Sequence, residues 1–218
     1  MLGSKGICTL ILATKVEVRC EMKVVKNILG LDPNFSDRYI DDYTELAEIV
    51  ELLKQLGYKI VLTQGVFDLM HQGHAKYLEE AKKLGDILIV GMDSDELTKQ
   101  RKGPTRPIVP QAERAEMLMH LRHVQIVALR NVDTDMNELI RVVSPDVLVV
   151  SETTQDFPDD LQESLRPYYQ EKVRLPAQAQ TSTTARVSFL LFDGAHQLST
   201  VVTTAIAEYM DRLRGEQS

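Results

Sequence analysis

Cysteine is nearly absent from this chain: 218 residues carry two, Cys8 and Cys20. Two thiols build neither a disulfide framework nor a cysteine-based metal cluster, and their scarcity suits a reducing cytoplasm. Basic charge is also short, with 25 lysines and arginines against 32 acidic residues and a formal net charge of −7. That balance argues against broad binding to nucleic acid or to an anionic membrane surface; an anionic ligand needs a local basic pocket instead. Long hydrophobic runs are missing too. Ile7–Ala13 falls far below the length of a bilayer span. It follows Lys5, no small-residue cleavage pattern comes after it, and it reads as a strand or an attached extension. There is no internal repeat or low-complexity segment. What remains is ordinary for a globular chain, 44% hydrophobic and 26% charged, with length enough for one main core and trimmings.

Strand and helix patterns alternate from residue 41 onward. Asp41-Asp42 opens a helix whose Leu46, Ala47, Val50, Leu53 and Leu56 share a face, ending at Gly57. A strand over Lys59–Gln64 leads to a helix near Gly73, with Leu78, Ala81 and Leu84 inward and Gly85 as its stop. Ile87–Met92 is continuously apolar, as in a strand covered on both faces. A long polar loop is expected over Asp93–Pro110. Pro110 then stands as the first residue of a helix through His123. Further expectations are a strand over Gln125–Leu129 and a helix capped by Asp133 or Thr134 and running through Val143. A strand follows over Val147–Val150, then a helix over Asp159–Tyr169 and a strand over Lys172–Leu175. A helix should start at Thr181 or Ser182, and a separate terminal helix should cover Gln197–Arg214. Residues 1–40 show little beyond a turn at Asp32-Pro33-Asn34. The alternation predicts an α/β fold: a Rossmann-like parallel sheet of about five strands with helices on both faces. Three regions are expected: an N-terminal extension and helix (1–57), a main domain (58–190) and a C-terminal helical extension (191–218).

The most informative stretch is Thr63-Gln64-Gly65-Val66-Phe67-Asp68-Leu69-Met70-His71-Gln72-Gly73-His74. An apolar strand enters a glycine turn, and two histidines flank a glycine where a helix begins. A helix start offers unpaired N–H groups and a positive dipole end, the natural seat of a phosphate. Two imidazoles there add hydrogen-bond donors. The alternative is that the histidines only cap the helix. In parallel α/β sheets ligands bind beyond the carboxyl ends of the strands. The His71/His74 turn, the 93–110 segment and the turn at Ser182 all follow strand ends. His120 and His123 lie on a helix without a catalytic carboxylate pattern, His196 reads as structural or solvated, and no zinc spacing is present.

Gly65–His74, Ser94-Asp95-Glu96-Leu97-Thr98, Lys102-Gly103, Glu113-Arg114 and Ser182-Thr183-Thr184, in this order and spacing, resemble the cytidylyltransferase-like nucleotidyltransferases over roughly residues 58–188. Lys102–Pro110 with Glu113-Arg114 is similar to the heptose-phosphate nucleotidyltransferase branch. Ser94–Thr98 through Lys102-Gly103 also looks like the phosphocholine and glycerol-phosphate cytidylyltransferases. The resemblance implies an enzyme that joins a nucleoside triphosphate, CTP or ATP, to a phosphorylated small-molecule acceptor such as a sugar phosphate. Pyrophosphate leaves, with Mg2+ as the assisting metal. His71, His74 and Lys102 would be catalytic. Gly65, Val66, Phe67, Asp68, Gly73, Asp93, Asp95, Arg114, Ser182, Thr183 and Thr184 would bind nucleotide. Arg106 would meet the acceptor phosphate or pair with a loop acid. No protein ligand to the metal is assignable, although Asp68 could orient the turn or touch the ion. Arg114 is a phosphate contact or a brace for its loop. The family's frequent dimers, with the apolar stripe of the terminal helix, lead to the expectation of a homodimer without nucleic acid or a membrane span, in the cytoplasm.

Two departures bear on the substrate. After Val147–Val150 the heptose branch carries a lysine–glycine-rich segment, whereas Ser151-Glu152-Thr153-Thr154-Gln155-Asp156 stands here. Before Ser182 the choline and glycerol-phosphate branches place an arginine, whereas this chain has Ala177-Gln178-Ala179-Gln180. Rival readings are a nucleotide-binding regulator with weak turnover and a cytidylyltransferase for phosphocholine, phosphoethanolamine or glycerol phosphate. An aminoacyl-tRNA synthetase would need a longer chain and a basic RNA face.

Overall fold

The computed structural model describes residues 36–133, 135, 137–152, 163–178 and 183–215. The readings made for residues 1–35, for a cap at Thr134, for 153–162 and for Ser182 fall outside them. The chain divides into two units, Met1–Gln178 and Ala179–Ser218.

The first unit is built on a six-stranded sheet. Its strands are β1 (Tyr39–Ile40), β2 (Ile60–Gly65), β3 (Ile87–Asp93), β4 (Ile126–Arg130), β5 (Val147–Ser151) and β6 (Glu171–Leu175). They lie in the order β1-β4-β3-β2-β5-β6, and every pairing is parallel. The sixth strand, absent from the expected five, is β1. Two residues are too few to show alternation, so tertiary pairing with Val127 and Ala128 decides them. The helices are α1 (Tyr43–Gln55), α2 (Gln72–Lys82), α3 (Asp95–Lys102), α4 (Gln111–Met119) and α5 (Glu138–Val143).

Burial on both faces explains the valine- and isoleucine-rich strands. Ile60, Leu62, Ile87, Ile89, Ile126, Ala128, Leu148 and Val150 pack on one side with α1 and α5. The alternate residues Val61, Leu88, Val90, Met92, Val127, Leu129, Val147 and Val149 pack on the other with α2 and α4. Each fully buried Leu or Ile contributes about 1.5–3 kcal/mol. Helix α1 joins this core because Leu46, Ile49, Val50 and Leu53 recur at helical spacing. Asp42 caps it by accepting from Thr44 N at 2.7 Å and Glu45 N at 3.3 Å. Gly57 ends it at φ 86°, a conformation that glycine takes without steric cost.

Several boundaries differ from the sequence reading. The expected polar loop over 93–110 contains α3, because Ser94 caps a helix there: its Oγ accepts from Leu97 N at 3.1 Å. Lys102 is therefore the last residue of a helix rather than part of a loop. Pro110 is the N-cap of α4 and not its first residue, and α4 stops at Met119. Helix α5 begins at Glu138, several residues late. Asp135 holds the preceding turn by accepting from Asn137 N at 3.0 Å. Of the helix expected over Asp159–Tyr169, residues 163–165 are helical and pass into a 3-10 turn at Arg166–Tyr168 before β6.

The second unit carries one 33-residue helix, α6 (Thr183–Gly215), where two helices were expected. No glycine or proline with turn geometry interrupts it. Gly194 is accommodated within the helix at a modest propensity cost.

Candidate functional site

Strand β2 is the sheet's switch point: β3 pairs on one side of it and β5 on the other. The chain leaves β2 at Gly65 and turns through Val66–Met70 into α2. In parallel sheets the crevice beyond such a point receives the ligand. Two non-glycine residues of the turn take positive φ, Phe67 at 54° and Leu69 at 42°. Such backbone costs on the order of a kcal/mol or more each and persists where the surroundings hold it. Phe67 is buried in the core beneath the turn, and its ring lies 5.8 Å from that of His74.

The two histidines cap α2 reciprocally. Nδ1 of His71 accepts from Gly73 N at 3.0 Å, and Nδ1 of His74 accepts from His71 N at 3.3 Å. The ring centroids are 4.1 Å apart. A nitrogen that accepts carries no proton, so this geometry leaves Nε2 as the proton-bearing nitrogen of each ring. Capping therefore also selects the tautomer: with Nδ1 accepting from the backbone, the donor left to each ring is Nε2–H at the helix N-terminus. Burial, the charge of His71 when protonated and the Lys102 ammonium push His74 down to about 4, against a smaller opposing effect of Asp68. It is neutral throughout the physiological range.

That shift has a stability consequence. The folded value near 4 lies below the ordinary 6.5, so between those pH values the unfolded chain binds more protons and stability falls as pH falls. The contribution is complete above pH 6.5 and lost below 4. Allowing for partial exposure, we expect a loss on the order of 2 kcal/mol across that window. Urea unfolding at pH 7, 5.5 and 4.5 measures it, and His74→Asn should flatten the dependence.

The remaining candidates form two ionic knots. In the first, buried Asp68 accepts from Ile108 N at 3.0 Å and Val109 N at 2.9 Å, and pairs with Arg106 at 3.1 Å. Burial alone would raise its carboxyl, but those backbone donors and Arg106 outweigh it and leave it below its ordinary value. Asp68 thereby ties the 106–109 segment to the histidine turn. In the second, Arg114 is 1% exposed. It donates to the carbonyls of Val66 (2.6 Å), Asp93 (2.9 Å) and Val109 (2.9 Å), and to the Asp95 carboxylate at 2.6 Å. Its guanidinium braces three segments at once. Asp95 also accepts from Gln111 N at 3.2 Å, at the start of α4.

Asp93, wholly buried at the end of β3, pairs with Arg101 and, at 2.8 Å, with Arg130. Sequence reading singled out Asp93 but neither arginine; on a polar helix and at a strand end they carry no signal that separates them from solvated charges. Lys102 is exposed and makes no ion pair among the described residues. Gly65 leaves room for the Phe67 ring, 3.1 Å from where a Cβ would stand, and Gly73 is buried in the first turn of α2. Thr183 and Thr184 open α6, in the second unit. Among the described residues no group of three or more His, Cys, Asp or Glu could hold a metal. A cavity of about 500 Å³ lies at the amino ends of β2, β5 and β6, lined by Lys54, Lys59, Asp146 and Gln170 among others, and takes no part in this site.

A cytidylyltransferase-like family model matches residues 62–208, which is most of the chain. The chain belongs to the cytidylyltransferase-like family. Among curated relatives, bifunctional protein HldE from a Nitratiruptor species is 46% identical over 114 residues, 52% of this chain and 24% of that protein. Bifunctional protein HldE from Geobacter metallireducens is 42% identical over 121 residues, 56% of this chain and 24% of that protein. The chain thus spans about a quarter of the length of these relatives. The solved structure of a lipopolysaccharide core biosynthesis protein from Thermoplasma volcanium gives a TM-score of 0.49 at 30% identity, covering 55% of this chain and 97% of that one. No helix among the described residues is long and apolar enough to cross a membrane.

Proposed function

We propose that this chain is a nucleotidyltransferase that joins CTP or ATP to a phosphorylated small-molecule acceptor, of which a sugar phosphate is the favoured class. An acceptor phosphate oxygen attacks the nucleotide α-phosphorus, the bond to the bridging oxygen breaks, and pyrophosphate leaves. A phosphate monoester is already nucleophilic near neutral pH, so no general base is needed. The observation that carries this reading is the reciprocal capping of His71 and His74 at the switch point, which sets two Nε2–H donors where phosphates bind. They would stabilise charge spreading over the α- and β-phosphate oxygens, and exposed Lys102 would add a mobile cation. The sugar-phosphate class rests on the likeness of Lys102–Arg114 to the heptose-phosphate branch and on the match to the HldE proteins.

The strand-end carboxylates bear on the metal. Asp68, Asp93 and Asp95 are all held by arginines or backbone N–H groups. Magnesium fits this site as part of the MgNTP substrate, bound by the nucleotide's own phosphates and water. Asp68, Asp93, Asp95 and Arg114 then support the nucleotide pocket as braces, and Arg106 is the candidate contact for the acceptor phosphate. We place the reaction in the cytoplasm, where nucleoside triphosphates are held and thiols stay reduced.

A thermal-shift panel of nucleoside triphosphates with magnesium, followed by phosphorylated sugars, polyols and amino alcohols, tests the reading. A native-state ligand at a hundred times its Kd adds about 2.7 kcal/mol, which is a rise of several degrees for a chain this size. CTP or ATP should give it, and a set of flat curves would count against the assignment. Binding without turnover would favour the regulator; a response to phosphocholine or glycerol phosphate alone would favour the other branch.

We also propose a homodimer. Phe192, Leu198 and Val202 on α6 are 74%, 65% and 48% exposed, and a long helix with an apolar stripe gains its stability from a packed partner. Light scattering at micromolar concentration should give twice the chain mass, and Val202→Glu should yield monomer or insoluble protein. A native monomer would overturn the idea.

A further inference from the structure

Helix α3 has eight residues, too few to persist unaided. Its first turn is well held. Ser94 caps it, Thr98 Oγ1 donates to Ser94 O at 2.7 Å, and Leu97 and Thr98 are buried. Its last turn buries no apolar side chain: Lys99, Gln100 and Lys102 are exposed. Arg101 is the exception. Its side chain is 14% exposed and its guanidinium pairs with Asp93, which is 0% exposed. The other Asp93 oxygen accepts from Arg130 Nη1 at 2.8 Å. The turn that carries Lys102 is therefore moored to the end of β3 by charge. The Lys102 ammonium acts on His74, where after burial and His71 it is among the causes that hold the imidazole below its ordinary value. The side chain is exposed while its backbone closes the helix.

We propose that the Asp93–Arg101 ion pair is a positioning device for Lys102: it fixes the last turn of α3 so that the ammonium meets the phosphates already gripped by the histidines. The inference rests on the transferase reading above. Electrostatic stabilisation is strongest when the charge is placed in advance, because no reorganisation is then needed as the reaction proceeds. Arg101 acts through its neighbour and is a positioning residue, not a catalytic one.

The test is a double-mutant cycle on the full chain with Arg101→Gln, Lys102→Gln and the pair together. Asp93 keeps Arg130 in Arg101→Gln. That variant should lower kcat by tenfold or more with a smaller change in nucleotide KM. In the Lys102→Gln background the same substitution should change kcat by less than about twofold. The His74 imidazole titration, followed by NMR, should move up in either single variant and no further in the double. If the losses simply multiply, or if Arg101→Gln lowers Tm while kcat and the His74 titration stay at wild type, the device does not exist. Should Arg101→Gln fail to fold, Arg101→Lys keeps the charge without the guanidinium fork and should show the same coupling at smaller amplitude; its absence there also overturns the proposal. The NMR titration needs no turnover. An inactive wild-type protein would sink the transferase reading, while the titration still decides whether Arg101 places Lys102.

Discussion

His74→Ala should lower turnover by roughly a hundredfold or more at saturating nucleotide, the usual loss when one preorganised transition-state donor is removed. Two functions of the ring disappear together in that variant. Nδ1 no longer accepts from His71 N, which as a lost cap costs about 1 kcal/mol, and the Nε2–H donor is gone. His74→Asn separates them. Its side-chain oxygen can still accept the cap bond, so stability should stay near wild type while turnover remains low. Steady-state rates paired with urea unfolding check both variants. Near-normal turnover in His74→Ala would remove the histidine pair from the chemistry and leave it as a structural cap.

Arg114→Met should cost on the order of 3–5 kcal/mol, as expected when one partner of a buried ion pair is removed. The side chain is almost wholly enclosed, and its loss takes the ionic partner from the Asp95 carboxylate and this donor from the carbonyls of Val66, Val109 and Asp93. Because those groups belong to the histidine turn, the 106–109 segment and the end of β3, nucleotide binding should weaken along with stability. At about 2–4 °C per kcal/mol for a chain of this size, Tm should fall by roughly 10 °C. A calorimetric scan reads it. A drop of only a degree or two would mean that Arg114 is an ordinary helix-surface arginine that the fold can release.

The reason the sheet could be read from the sequence is physical. Ile87–Met92 and Val147–Val150 are continuous apolar runs, and a strand buried on both faces needs that composition. The turn from β2 into α2 was equally legible, because paired histidines around a glycine make sense only where backbone donors are exposed. What stayed hidden depended on long-range charge. Ser94 looked like loop chemistry, and α3 is too polar to announce itself. Its last turn is held by Asp93, eight residues away from Arg101, and no local pattern encodes that. Asp68 offered the same ambiguity. The sequence left it either to orient the turn or to touch an ion, and it accepts from the backbone of Ile108 and Val109, about forty residues on. Strand β1 pairs with β4 across most of the domain's sequence, so two residues of strand had no local signature. A single α6 runs through both helices expected after Thr181 or Ser182, with Gly194 absorbed in it.

The most direct measurement of the central claim is pyrophosphate release from MgCTP and MgATP across a set of sugar phosphates, with the nucleotide-linked product identified by mass. The account predicts release only when nucleotide and phosphorylated acceptor are both present, in equal amounts with the linked product, and loss of both signals in His74→Ala. Pyrophosphate that forms without an acceptor, or at the same rate in His74→Ala, would contradict it.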